Sequence, residues 1–100
     1  MIEKMRDVLK DSNVELLIDA LLTLETKEEC ENFLLDLCTI TELKSISQRL
    51  AVAKMLSEKQ VYSNIVKETK ASTATISRVN RSLNYGENGY QVVFDRLNEK

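Results

Sequence analysis

The sequence has no histidine, no proline and only two glycines, Gly86 and Gly89. Without histidine, the common His-containing zinc sites and imidazole acid–base chemistry are excluded. Without proline, and with glycine confined to one short stretch, the tight turns that join strands lack their usual residues. Only two cysteines are present, Cys30 and Cys38. Eight positions on one helix is a rise of about 12 Å, too far for a bond between them. Two buried thiols in a reducing cytosol are the expectation. No apolar run reaches the length of a membrane span. Residues 1–10 alternate charged with apolar residues and show no signal-peptide core, so we expect a cytoplasmic protein. Paired carboxylates in an apolar run, a Gly-rich phosphate cradle and a nucleophile beside a base are all missing, which argues against an enzyme.

What remains is rich in Leu, Glu, Lys and Ala, all good helix formers, and predicts an all-α chain. One hundred residues form one domain, 1–100, that buries only about two-thirds of its unfolded surface, so a partner chain would help it. The net charge of −2 is unevenly spread: residues 1–43 carry −7, residues 44–83 carry +6 and residues 84–100 carry −1. An acidic half joined to a basic half suggests a scaffold with a polyanion-facing surface. Charges scattered over a solvated surface are the alternative.

Apolar spacing at Ile2, Met5, Val8 and Leu9 predicts a short helix, broken by the N-cap candidates Asp11, Ser12 and Asn13. In residues 14–24 the polar positions Glu15, Asp19 and Thr23 form one narrow stripe, and the other sides are apolar. A second copy of the chain would cover such a helix, predicting an intertwined homodimer; burial within one monomer is the alternative. Thr26 and Glu29 read as a capping box opening a helix with Cys30, Phe33, Leu34, Leu37 and Cys38 on one face. Thr41 is placed as the cap of a helix over 42–59, facing inward through Leu43, Ile46, Leu50, Ala53 and Leu56. A helix over 62–70 follows, with Val61, Ile65, Val66 and Thr69 inward, then a tight connection at 71–73. The next helix, 74–84, carries Ile76, Val79 and Leu83 at i, i+3 and i+7. A loop at 85–89 leads to a last helix presenting Tyr90, Val93, Phe94 and Leu97.

Two short helices joined by a tight turn over about 61–84 have the pattern of a helix-turn-helix, whose second helix enters the DNA major groove by its N-terminal end. With residues 76, 79 and 83 inward, Thr73, Thr75, Ser77, Arg78 and Arg81 are expected outward. Ser72 and these hydroxyls suit phosphate, and arginine can pair guanine. Lys67 and Lys70 suit backbone phosphates. Lys70 stands where many such turns have glycine, so it must accept a disfavoured backbone angle or change the turn. A helical protein-interaction module without specific DNA binding is the competing reading.

Residues 39–83, with Arg49 in the long helix and the Ala74-Thr75-Ile76-Ser77-Arg78 run, resemble the tryptophan repressor family. The run from Val79 to Gly86 looks like that family's YerC/YecD group. The resemblance covers about residues 14–97. It implies a six-helix, interlocked homodimer with two helix-turn-helix reading heads, and a sequence-specific DNA-binding transcriptional regulator acting as a repressor on double-stranded DNA. It also implies a corepressor pocket, with Thr39, Arg49, Thr75, Arg78 and Ser82 at the matching positions. Two departures stand out. Val79 replaces the glycine that follows the arginine in the family's repressor, and the turn before Ala74 is one residue shorter. The expectation is therefore no cofactor, or a small corepressor other than L-tryptophan.

Overall fold

The computed structural model describes residues 6–99. Among them are six complete α-helices and no strand. A short 3-10 turn at Val8–Lys10 precedes α1 (Ser12–Leu21), α2 (Lys27–Leu37), α3 (Ile40–Ser57), α4 (Tyr62–Thr69), α5 (Thr73–Tyr85) and α6 (Gly89–Asn98). The expected inward positions Ile2 and Met5 lie outside the described residues. The chain divides into two compact units, one up to residue 40 and one from residue 41 onward.

In the first unit the breaks are set by side-chain caps. The Asp11 carboxylate accepts from the backbone N–H of Asn13 and of Val14, at 2.7 and 3.3 Å, so α1 opens at Ser12, two residues before the apolar pattern begins. Thr26 Oγ1 accepts from the N–H of Glu29 at 3.1 Å, the first half of the expected capping box. The return contact is shifted by one residue: Glu29 Oε1 accepts from the N–H of Glu25 at 2.9 Å. No residue of α1 or α2 is buried. Leu16 and Leu22 are 67% and 79% exposed, and Leu35 and Leu37 are also exposed.

The second unit holds the core. Val52 and Ala53 from α3, Ile65 from α4, Ala71 from the turn, Ile76 and Val79 from α5 and Phe94 from α6 are buried together. Met55, Leu56, Val66 and Tyr90 pack around them, and Tyr90 stacks on Phe94 with ring centroids 5.9 Å apart. Each core aliphatic withdrawn from water contributes roughly 1.5–3 kcal/mol before the entropy of ordering is set against it.

Several inward expectations are corrected here. Helix α3 starts at Ile40, which places Thr41 in its first turn rather than at its cap. Ile46 and Leu50 are exposed, while Val52, which the stripe omitted, is fully buried. The physical reason is that α3 is apolar on more than one side, and the core takes the side bearing 52, 53 and 56. Val61 precedes α4 in extended conformation and is 66% exposed. In α6 only Phe94 is buried and Tyr90 partly so; Val93 and Leu97 remain exposed.

Candidate nucleic-acid interface

Helices α4 and α5 pack on each other across the turn Lys70-Ala71-Ser72. Lys70 ends α4 in the left-handed region, at φ 64° and ψ 12°, and its N–H donates to Val66 O at 2.9 Å. The sequence expectation of a disfavoured angle at this lysine is met: the glycine-like turn is kept without the glycine. Thr69 braces it, its hydroxyl donating to Ile65 O at 2.7 Å and accepting from the Ala71 N–H at 3.2 Å. Ala71 then drops into the core. Ser72 returns to extended backbone and caps α5, its Oγ accepting from the Thr75 N–H at 3.1 Å. A buried residue and a capped helix end thus fix where α5 starts and how it points.

An α-helix advances about 100° per residue, and the buried Ile76 and Val79 with the half-buried Leu83 define one side of α5. The opposite side carries Ala74, Ser77, Arg78 and Arg81, all exposed. Thr73 sits at one edge of this face. Thr75 sits at the other edge, half-buried, with its hydroxyl accepting from Ser72 Oγ at 3.1 Å. Thr75 therefore departs from the outward expectation, because the cap occupies it. Ala74 was overlooked as apolar, although its place on the wheel, between Ser77, Arg78 and Arg81, marks it. Its methyl suits contact with a thymine methyl.

Lys67, Lys70 and Ser72 are exposed on the same helix pair. Among the described residues Lys67, Lys70, Arg78 and Arg81 have no carboxylate partner. Helix α5 itself contains no acidic residue, so its N-terminal partial positive charge and two arginines act in one direction. The arrangement presents hydroxyl and guanidinium donors beside a small methyl, on a helix held from behind by the core.

The family model for the Trp repressor protein matches residues 12–98. The chain belongs to the Trp repressor family. It is 50% identical to YerC of Bacillus subtilis over 93 residues, covering 93% of this chain and 89% of that protein. The crystal structure of a TrpR-like protein from Eubacterium eligens superimposes with a TM-score of 0.87 at 54% identity, covering 92% of this chain and 95% of that one. A candidate Trp repressor from Staphylococcus aureus gives 0.85 at 49% identity, covering 100% and 96%.

The five positions that the family resemblance alone assigns to a corepressor differ in environment. Arg49, Arg78 and Ser82 are exposed and Thr75 is half-buried in the second unit, while Thr39 is exposed in the first. A groove of about 390 Å³ in the second unit is lined by residues including Ser57, Gln60, Asn80, Asn84 and Gln91, and by none of those five. Val79 is 3% exposed and belongs to the core, so its branched side chain fills the space a glycine would leave. Among the described residues no cluster of metal-ligating side chains occurs, and no helix is long and apolar enough to cross a membrane.

Proposed function

We propose that this protein is a cytoplasmic, dimeric, sequence-specific DNA-binding regulator that represses by occupying its site. Helix α5 enters the major groove N-terminus first, with Ala74, Ser77, Arg78 and Arg81 toward base edges and Lys67, Lys70, Ser72 and Thr73 toward phosphates. The observation that carries this reading is the face of α5 opposite Ile76 and Val79, exposed, free of acids and aimed by a braced turn. Membership of a regulator family supports it.

The dimer rests on α1 and α2. Ten- and eleven-residue helices with no buried side chain, flanked or lined by the exposed Leu16, Leu22, Leu35 and Leu37, leave apolar side chains that one chain does not cover. A second copy would cover it, and two-fold symmetry would set the two reading helices about 34 Å apart on a palindromic site.

We also propose that DNA binding needs no L-tryptophan. What supports this is that Val79, at the position where the family's repressor has glycine, is a buried core residue. Selection of random duplex DNA on the purified protein, with and without L-tryptophan, tests all three points. A palindromic consensus unchanged by the amino acid is expected, with an affinity that falls steeply with salt. Weak binding indifferent to sequence would put the interaction-module reading first.

A further inference from the structure

Gln48 is a polar residue of α3 to which no part of the DNA reading assigns a task. It is half-buried, and its Nε2 donates to the backbone carbonyl of Thr69 at 3.0 Å, 21 positions along the chain. That carbonyl belongs to the last turn of α4, where carbonyls have no partner within the helix. The bond lands on the residue that organises the turn. Thr69 Oγ1 holds Ile65 O on one side and the Ala71 N–H on the other, and Lys70 follows in a left-handed conformation that a side chain disfavours. From Thr69 only Lys70, Ala71 and Ser72 separate α4 from the first residue of α5.

The turn therefore has two sources of restraint. One is local: the threonine hydroxyl and the buried Ala71 methyl. The other comes from Gln48, which ties the strained end of α4 to the long helix that carries Val52 and Ala53 of the core. This bond joins residues 21 positions apart, whereas the side-chain bonds within the turn span two to four. We propose that Gln48 is a positioning residue: by anchoring the Thr69 carbonyl, it fixes the direction of α5 and so sets site discrimination without touching DNA. The proposal rests on the DNA-binding reading above. Phosphate contacts tolerate small shifts of the helix, whereas paired hydrogen bonds to a base edge do not. Loosening the tie should therefore cost specific binding more than non-specific binding.

The test uses the 100-residue chain and two variants. Gln48→Met keeps length and shape and removes the donor. Gln48→Lys restores a donor, and because the ratio of specific to non-specific affinity is read, its added charge cancels to first order. Gln48→Met is expected to lower that ratio about two- to tenfold, the equilibrium factor one neutral hydrogen bond carries. It should also speed hydrogen exchange at the Ala71 amide while the Ile76 and Val79 amides keep their protection. Gln48→Lys is expected to recover most of the ratio. A Gln48→Met protein with an unchanged ratio, or with unchanged exchange at Ala71, overturns the proposal. Equal binding to every duplex by the unsubstituted protein overturns the DNA reading and this role with it, an outcome distinct from both.

Discussion

Replacing Lys70 with glycine should make the protein more stable. Lys70 sits at φ 64°, ψ 12°, where a Cβ crowds the following carbonyl at a cost of roughly 1–2 kcal/mol that glycine does not carry. Against this, glycine gains backbone freedom in the unfolded chain, worth about 0.5–1 kcal/mol. The Lys70 N–H bond to Val66 O is backbone and survives the change. The lysine side chain is exposed and has no acidic partner among the described residues, so no ion pair is lost. Taken at mid-range, the balance is a gain of about 0.75 kcal/mol, or roughly 3–6 °C in Tm for a domain of this size. Differential scanning calorimetry at equal protein concentrations reads it, because coupled assembly makes Tm depend on concentration. Lys70→Ala is the control: it removes the charge and the stem but keeps the Cβ, so it should show little of the gain. Equal gains from Ala and Gly would refute the backbone argument and put the effect on the lysine side chain.

Arg78→Ala should weaken specific DNA binding by on the order of 1–3 kcal/mol in fluorescence anisotropy, and an unchanged affinity would remove Arg78 from the reading face. Leu21→Asp, on a helix with no buried residue of its own, should abolish assembly and folding together; a folded monomer by light scattering would contradict the interlocked dimer. Val79→Gly should cost about 3 kcal/mol, roughly two for the lost apolar burial and one for glycine within a helix, measured by urea unfolding. A loss under 1 kcal/mol would show that Val79 does not serve the core as its burial indicates.

The second unit was largely legible in the sequence because its signals were local and agreed with one another. The apolar positions 76, 79 and 83 gave the side of α5 that faces the core, and Ser72 caps the helix one residue earlier than the pattern suggested. The glycine missing at Lys70 is legible in the sequence as either a disfavoured angle or a changed turn, and the chain takes the first. What misled was a hydroxyl with two uses. Thr75 looked outward by type, but it is the third residue after the capping serine, and the cap takes both its N–H and its hydroxyl. Ala74 is the converse case: on a face proposed to read bases a methyl carries information, although it offers no polar atom.

The first unit and α6 show a different limit. Periodicity states which sides of a helix are apolar; it does not state in which chain each side is covered. In α1 nearly every position was eligible for a core, and none is buried within one chain. Ile46, Leu50, Val93 and Leu97 repeat the same outcome in the second unit. These misplaced inward positions carry a common physical content: apolar surface that a single chain does not cover. The surplus is evidence about assembly, and in α1, which buries no residue of its own, about folding coupled to it. It places Leu21→Asp and Val79→Gly in different tests, since the first removes apolar surface a single chain leaves exposed and the second removes a side chain it already buries.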